Sequence, residues 1–347
     1  MTMTSISNFI LNRVRNEKNK ETLIAIIEKD SDVPIFLPSS LLKYIDLPKS
    51  DKVEIEGFRT GGRNVYLPNE YLVNAGIILP FYSEYGIEIK GAGTKIKDLQ
   101  HLKSRALEKL KSLYSNISEE DAVIIPDLQW FGNKPIGGQS SEFARNSEIA
   151  SNIFKRINKT YLITRTLAIT SHEYSIGGKR VFQEIREFYP GFRAQKIPYG
   201  ISFEEIPEEV IKPGIKEWLT KGFTNIAEFS YILLNTSIGT IKKNYLYTLG
   251  LIPSKDIVIN ENGAKIVDTE SIMITHNKEL AYAQAVKFIK DLSNFSYLLT
   301  RRFDREFASE LLEAVSNAFS LVNQEKGKYK ILSYVNPSLP YLETEVI

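Results

Sequence analysis

The sequence predicts an α+β protein of two lobes, with a β-rich N-terminal lobe and a mostly helical C-terminal lobe. From Val53, short runs of β-branched and aromatic residues recur between turn residues, as is typical of an antiparallel sheet. From Glu204 onward, the apolar residues mostly recur at helical spacing. The predicted units are an N-terminal extension at 1–52, an N-lobe at 53–204 and a helical C-lobe at 205–347.

The first 204 residues predict both helices and strands. The expected helices are Ile6–Arg15, one starting at Pro38–Ser40, Asp98–Tyr114 and Ser141–Ile157. The expected strands are Leu23–Glu28, Val53–Phe58, Asn64–Leu67, Ile77–Phe81, Gly86–Lys90, Tyr161–Thr170 and Phe192–Ile197.

The C-terminal part predicts helices around one hairpin. The expected helices are Pro213–Thr220, Ile226–Thr236, Ile238–Leu249, Glu279–Leu292 and Arg302–Asn323. Residues Pro337–Ile347 are expected to form a loose tail. A β-rich half followed by a helical half suggests a cleft between lobes, where nucleotides commonly bind.

The segment from Asp256 to Asp268 predicts a tight β-hairpin with a carboxylate at each end. Its β-branched runs, Ile257–Ile259 and Lys265–Val267, flank the turn residues Asn260–Gly263. The turn brings the two carboxylates to within about one residue of register, on strands roughly 5 Å apart. Two like charges repel at that distance unless a cation lies between them, so the pair predicts a divalent metal site.

Two alternatives to this pair remain open. A solvated hairpin with two unrelated Asp residues has the same sequence pattern, because Asp and Asn are common where strands meet loops. Asn260 or Asn262 could also replace Asp256 as the second metal ligand, since the register is inferred from the turn alone.

Composition excludes several classes of function. The 44 basic and 42 acidic residues leave a net charge of +2, which does not favour nucleic-acid or anionic-membrane binding. Without cysteine there are no disulfides or thiolate sites, and the three histidines, at positions 101, 172 and 276, lack metal-ligand spacing. No run approaches the roughly 20 apolar residues of a membrane span, and Met1–Ile10 lacks a signal-peptide pattern, so we expect a cytoplasmic protein.

Three further features upstream of the hairpin suit phosphate binding. The glycines before Arg63 would let backbone amides approach a phosphate, although, taken alone, a hairpin turn with an exposed Arg is the simpler explanation. Lys90 ends a predicted strand and precedes Gly91-Ala92-Gly93, so its ammonium could reach a bound phosphate. Glu148, on a predicted helix, could pair with Lys90 and hold it in place.

In this order the features resemble the selenoprotein O family. Gly61-Gly62-Arg63 followed by Ile87-Glu-Ile-Lys-Gly-Ala-Gly93 is similar to that family's GDGR and LQLKGAG motifs. Further segments that look like family motifs are Gly138–Glu148, Thr164–Thr170, Pro190–Lys196 with Gly200–Glu204, and Lys265–Asp268. The resemblance runs in one order from about residue 57 to 280.

The family's members are protein-kinase-like enzymes that transfer AMP from ATP to protein side chains. The resemblance therefore implies a bilobal protein-kinase-like fold, ATP with Mg²⁺ or Mn²⁺ as cofactors, and a protein substrate or partner. It implies a catalytic role for Lys90, Glu148 and Asp268, and metal binding by Asp256 and Asp268. The implied nucleotide-binding residues are Gly62, Arg63, Lys90, Gly137, Gly138 and Lys196.

Lys255 departs from the family pattern, because it occupies the place of the family's proposed catalytic Asp. The second Arg of the family's phosphate clamp also has no counterpart between Lys196 and Glu204. The alternatives to AMP transfer are a protein or small-molecule kinase, an inactive nucleotide-binding pseudokinase that acts through partner contacts, and a scaffold without a nucleotide site.

Overall fold

The structure is a computed structural model that describes residues 5–27, 31–39, 51–61, 64–92, 141–176, 179–238, 244–322, 328–336 and 341–347. These residues form an α+β fold with a curled antiparallel sheet and several helices, which confirms the predicted class. The chain divides into two compact units. The sheet unit comprises Val14–Glu148 and Arg165–Phe188, and the helical unit comprises Met1–Arg13, Ile149–Thr164 and Tyr189–Ile347.

These units differ from the predicted boundaries. Residues 14–52 were expected to lie in an N-terminal extension, yet they group with the sheet unit and supply two of its strands. Residues 149–164 and 189–204 were expected in the N-lobe, yet they group with the helical unit.

Within its described residues, the sheet unit forms one antiparallel sheet of seven strands in the order β2-β1-β3-β4-β5-β7-β6. The strands are β1 (Lys20–Ile27), β2 (Ile35–Pro38), β3 (Asp51–Gly61), β4 (Asn64–Leu67), β5 (Ile87–Lys90), β6 (Thr166–Ile176) and β7 (Lys179–Glu187). Helix α1 (Ile6–Val14) precedes β1, helix α2 (Asn69–Asn74) follows β4, and helix α3 (Ser141–Arg156) precedes β6.

One face of the sheet carries the apolar core of this unit. Alternate residues of each strand point to the same face, and β1, β4 and β5 bury their aliphatic residues there. The first and last strands of the order, β2 and β6, contact each other, so the sheet curls around this core. The buried core side chains are Leu23, Ala25, Phe36, Ile55, Val65, Leu67, Leu72, Ile77, Ile87, Ile89, Ala92 and Ile185.

Gln183 links β7 to β2, two strands that lie far apart in the order of the sheet. Its side chain, on β7, is fully buried and accepts a hydrogen bond from the Phe36 backbone N at 2.9 Å. Its Nε2 donates to the Phe36 carbonyl oxygen at 2.5 Å. One amide side chain therefore satisfies both backbone groups of a β2 residue 147 positions away.

We expect Gln183→Met to destabilise the protein by about 2–4 kcal/mol, because two buried backbone groups then lose their partners. Methionine nearly matches the volume of glutamine, so a cavity contributes little. Urea denaturation of both proteins measures the difference. A change below about 0.5 kcal/mol would contradict this account of the closure.

The helical unit is built around a helix that packs against two other long helices and a strand. Its elements are α4 (Glu208–Ile211), α5 (Ile215–Asn235), α6 (Pro253–Asp256), α7 (Lys278–Thr300) and α8 (Arg305–Val322), with strands β8 (Ser237–Ile238), β9 (Asn244–Thr248), β10 (Ile257–Asn260), β11 (Gly263–Ile266), β12 (Ile272–Thr275), β13 (Ile331–Val335) and β14 (Leu342–Val346). Helix α5 packs against α7, α8 and β11. Phe223 contacts the rings of Phe295 and Phe319, and Phe229 contacts Phe154 and Phe288.

Several elements of the helical unit differ from the sequence prediction. The predicted helix Ile238–Leu249 is wrong within the described residues, where β9 instead pairs with β8 and β12. The two helices predicted at 213–220 and 226–236 are one helix, α5, which continues through Gly222. The predicted loose tail contains β14, which pairs antiparallel with β13.

Two predicted strands are also wrong. Ile77–Phe81 has no regular secondary structure, and the helix α2 that precedes it was not predicted. Phe192–Ile197 makes only isolated bridges, at Phe192 and Arg193. The helix predicted at 98–114 lies outside the described residues. Of the helix predicted to start at 38–40, Pro38 is instead the last residue of β2, and positions 40–50 lie outside the described residues. Among the described helices, none is long and apolar enough to cross a membrane.

Candidate functional site

The hairpin that was predicted from its turn residues is present as β10 and β11. Ile257 pairs with Ile266, and Asn260 pairs with Gly263. The Val267 N–H donates to the Asp256 carbonyl oxygen at 2.9 Å, which extends the ladder by one step. Asp268 therefore follows the residue opposite Asp256, within the predicted one residue of register.

The turn of the hairpin is held by buried hydrogen bonds. Asn260 is fully buried, and its Oδ1 accepts from the Tyr189 hydroxyl at 2.5 Å and from the Asn262 N–H at 2.8 Å. Its Nδ2 donates to the Pro190 carbonyl oxygen at 2.9 Å. Gly263 has a φ of 123°, and a Cβ there would lie 2.2 Å from Asn225 Oδ1, so only glycine fits.

These contacts favour Asp256 over the two asparagines as the second ligand. Asn260 lies four residues from Asp256, which at about 3.3 Å per residue places it roughly 13 Å away, at the opposite end of the strand. Its amide is also engaged by the turn. Asn262 lies in the same turn. Asp256 is therefore the candidate partner of Asp268.

Neighbouring segments fix both edges of the hairpin. On the β10 side, the Phe192 N–H donates to the Ile259 carbonyl oxygen at 2.9 Å, and the Ile259 N–H donates to the Phe192 carbonyl oxygen at 3.0 Å. On the β11 side, the Thr164 N–H donates to the Ile266 carbonyl oxygen at 2.9 Å. The hairpin backbone that carries the two aspartates is therefore hydrogen-bonded to neighbouring segments along both edges.

Asp256 is a buried carboxylate with incomplete charge compensation. It is 2% exposed, and its Oδ2 accepts from the Ile252 N–H at 2.8 Å. Burial raises the pKa of the Asp256 carboxyl above its ordinary value, and the negative charge of Asp268 raises it further. The positive charges of Lys255 and Arg193 and the Ile252 N–H act in the opposite direction without offsetting this rise.

Asp268 is half-buried and begins the short 3-10 helix Thr269–Ser271. Its Oδ2 accepts from the Ser271 hydroxyl at 3.2 Å, and its carbonyl oxygen accepts from the Ser271 N–H at 3.1 Å. The hairpin therefore presents one buried and one half-buried carboxylate that repel each other. This arrangement favours binding of a cation.

The donor set fits Mg²⁺ better than a metal that needs a complete protein cage. In the described residues there is no group of three or more His, Cys, Asp or Glu side chains suited to a metal ion. Mg²⁺ is usually held by one or two carboxylates, together with substrate phosphates and water. Asp256 and Asp268 would supply carboxylate oxygens of this kind. Lys255 offers a competing explanation, because its ammonium lies 3.8 Å from Asp256 Oδ1.

The raised pKa of Asp256 predicts a specific pH dependence of stability. In the pH window between the ordinary value and the folded value, the folded state binds more protons than the unfolded state. The free energy of unfolding should therefore fall as pH rises through that window. We expect Asp256→Asn to remove this dependence and to stabilise the metal-free protein near pH 7 by on the order of 1 kcal/mol.

Chemical denaturation at several pH values, with a chelator present, measures this difference. Asparagine keeps an oxygen that can accept from the Ile252 N–H, so the backbone geometry is preserved. A variant that is less stable than the wild type near pH 7 would show that the Asp256 charge is compensated within the fold.

The ammonium of Lys196, a predicted nucleotide contact, is engaged in an ion pair. It pairs with Glu205 Oε1 at 3.0 Å, although the lysine side chain is 75% exposed. Burial alone would raise the pKa of Glu205, but hydrogen bonds from Ser202 and Lys196 outweigh it and lower the pKa. Ser202 and Glu205 also form a capping box for the 3-10 helix Phe203–Glu205. The predicted nucleotide contact of Lys196 would require this pair to open.

Lys90 lies at the end of β5 as predicted, and it is 3% exposed. The register places it opposite Asn64 on β4 and opposite Glu184 on β7. Glu148, its predicted partner, is exposed on α3, whereas its neighbour Ser147 is buried. The structure therefore brings Lys90 next to a strand carboxylate that the sequence reading did not identify.

A buried charge pair lies beside Lys90 on the same face of the sheet. Arg186 on β7 donates from Nε to Glu88 Oε2 at 2.6 Å, and its Nη2 lies 2.5 Å from the same oxygen. The Thr60 hydroxyl also donates a hydrogen bond to Glu88 Oε1. Glu88 and Lys90 are two residues apart on β5 and point the same way.

The remaining predicted site residues are Gly62, Arg63, Gly137 and Gly138, and all four lie outside the described residues.

The sequence reading missed Arg193 and Glu184. Arg193 donates to the Lys255 carbonyl oxygen, and its charge acts on Asp256. Its position within the family-like segment Pro190–Lys196 was the only available signal. The alternation of charged and aliphatic residues around Glu184 could have indicated a strand.

Comparison with protein-family models, curated proteins and solved structures finds no match to this chain.

Proposed function

We propose that this chain binds ATP with a divalent cation, Mg²⁺ or Mn²⁺, and transfers AMP from it to a hydroxyl group of a protein. The hydroxyl oxygen bonds to the α phosphorus, the bond between the α and β phosphates breaks, and pyrophosphate and the hydroxyl proton are released. The observation that carries the proposal is the hairpin that holds Asp256 and Asp268 one step apart in register, where their charges repel. A cation bound there would supply the charge neutralisation that phosphoryl and nucleotidyl chemistry requires. The resemblance to the selenoprotein O family supports AMP as the transferred group.

The protein's own residues have distinct roles in this proposal. The buried backbone of the hairpin orients the two carboxylates, so that little motion is needed when the cation binds. Lys90 provides positive charge for a phosphate group. A protein-kinase-like arrangement of the lobes belongs to the same proposal.

Labelled ATP tests the reaction. The protein is incubated with Mg²⁺ and ATP labelled at the α or the γ phosphate, with a mixture of candidate protein acceptors present. If protein carries label from the α phosphate, AMP transfer is supported. If protein carries label from the γ phosphate, the activity is that of a kinase and AMP transfer is contradicted. If neither label transfers although ATP binds, the transferase proposal fails.

A second candidate function is nucleotide binding without turnover, as in a pseudokinase. Lys255 favours it, because a lysine at 3.8 Å from Asp256 Oδ1 occupies the place of the family's proposed catalytic Asp. An ammonium cannot take a proton from the acceptor hydroxyl at neutral pH unless its pKa is strongly depressed. This candidate predicts an ATP-dependent rise in melting temperature and no label on protein from either position.

Lys255→Met separates the two explanations of the aspartate pair. If Lys255 is the cation that neutralises Asp256, its removal should destabilise the metal-free protein and leave its response to Mg²⁺ small. If the pair binds Mg²⁺, the same variant should bind the ion more tightly, because a competing positive charge has been removed. Calorimetric titration with Mg²⁺ and with Mn²⁺ measures the affinities.

A further inference from the structure

We propose that Glu184 on β7 is the positioning residue for Lys90, in the place expected for Glu148 on α3. This inference rests on the proposed function, in which Lys90 binds a phosphate group. The sheet register identifies the carboxylate that holds Lys90. Lys90 and Glu184 are direct partners in the β5–β7 ladder. Side chains that face each other across antiparallel strands have Cβ atoms about 4.5–5.5 Å apart, on the same face.

Burial makes the pairing of Lys90 with a carboxylate energetically important. Lys90 is 3% exposed and Glu184 is fully buried. A buried ammonium is costly unless an anion and hydrogen-bond acceptors lie next to it. Glu148 is exposed to solvent, where pairing contributes little. The carboxylate that compensates a buried Lys90 should therefore be a buried one.

Glu88, the other buried carboxylate near Lys90, is already engaged. Its Oε2 accepts from Arg186 at 2.6 Å, and its Oε1 accepts from the Thr60 hydroxyl. Glu184 instead receives neutral donors in these contacts. Its Oε2 accepts from the Ser147 hydroxyl at 3.1 Å, and its Oε1 accepts from the Thr166 hydroxyl at 2.8 Å. A carboxylate has about four acceptor positions, so these two hydroxyl donors do not by themselves exclude an ammonium.

The two hydroxyls also explain how Glu184 is held still. Thr166 lies on β6 and Ser147 lies on α3, so hydrogen bonds from a strand and from a helix hold the carboxylate in place. Helix α3 therefore acts on Lys90 through the small buried residue Ser147. The exposed residue that follows it, Glu148, is not required for this arrangement.

A double-mutant cycle without nucleotide tests the pair itself. The four proteins are the wild type, Lys90→Met, Glu184→Gln and the double variant, each unfolded in urea. Glutamine keeps an acceptor oxygen for the hydroxyl donors, so the fold should be retained. We expect the two changes to be coupled by about tenfold in the unfolding equilibrium constant. Additive effects would overturn the pairing.

Titration with ATP and Mg²⁺ tests the positioning role. We expect Lys90→Met and Glu184→Gln each to weaken ATP binding about tenfold or more, and the double variant to be no weaker than Lys90→Met. Glu142→Gln, an exposed change on the same helix, is the matched control. Glu148→Gln tests the rival partner.

The outcomes separate this inference from the proposed function. If the wild type binds ATP and Glu184→Gln binds it equally well, or if Glu148→Gln weakens binding as much as Lys90→Met, the positioning role is overturned. If the wild type binds no ATP, the proposed function fails together with the nucleotide part of the inference. The unfolding cycle then still decides whether Glu184 holds Lys90.

Discussion

Asp268→Asn should weaken the binding of ATP with Mn²⁺ by at least about a hundredfold, since changes even to the outer-shell partners of metal ligands cost about 10- to 100-fold. Asparagine keeps an oxygen for the Ser271 hydroxyl, which donates to Asp268 at 3.2 Å, so the local backbone should be unchanged. The loss therefore reports the charge and not the fold.

Mn²⁺ binding followed by electron paramagnetic resonance, with and without ATP, measures this effect. Asp291→Asn on α7 is the matched control, because it removes one aspartate charge at a different position of the same unit. If Asp268→Asn binds Mn²⁺ and ATP within about twofold of the wild type, the aspartate pair is not the metal site. The alternative of two unrelated aspartates would then be favoured.

Arg186→Ala should destabilise the protein by about 3–5 kcal/mol, which is the cost of leaving one partner of a buried ion pair alone. Arg186 is 2% exposed and Glu88 is 6% exposed, so solvent cannot compensate the remaining charge. The Thr60 hydroxyl would still donate to Glu88, but a neutral hydroxyl does not replace the positive charge of the guanidinium. Urea denaturation provides the measurement.

The double variant Glu88→Gln with Arg186→Met is the informative comparison. Replacement of a buried ion pair by groups of similar volume is often neutral or stabilising. The double variant should therefore recover most of the stability that Arg186→Ala loses. Equal destabilisation by both proteins would mean that the uncompensated charge of Glu88 is not what lowers the stability of Arg186→Ala.

Local chemistry made the hairpin predictable from the sequence. Asn260 and Gly263 accept turn geometry, and the β-branched runs on each side can only pair with each other across so short a turn. The register of Asp256 and Asp268 follows from this local geometry. The same holds for the strand that ends at Lys90, which is bounded by Gly86 and Gly91.

Long-range pairing decided the rest of the candidate site. Glu184 lies opposite Lys90 only because β5 and β7 are neighbours in the sheet, although 94 residues separate the two positions. Gln183 bonds to Phe36 because the sheet curls. A sequence pattern records which face a strand residue occupies, but it does not record which strand lies beside it.

Tertiary context also overrode local preference. Residues 244–248 have apolar positions compatible with a helix, but β8 and β12 supply hydrogen-bond partners on both sides, so this segment is a strand. The C-terminal residues Leu342–Val346 form a strand because β13 pairs with them and α7 packs on them.

The sequence by itself determined the α+β class, the hairpin with its two carboxylates and the strand that carries Lys90, because residue type and short-range spacing fix turns and periodicity. The tertiary structure alone decided the burial of Asp256, the choice of Glu184 over Glu148 beside Lys90, and the ion pair of Arg186 with Glu88. These features depend on which distant segments exclude water from a charge. That exclusion is a property of the packed chain and is absent from any local stretch of it.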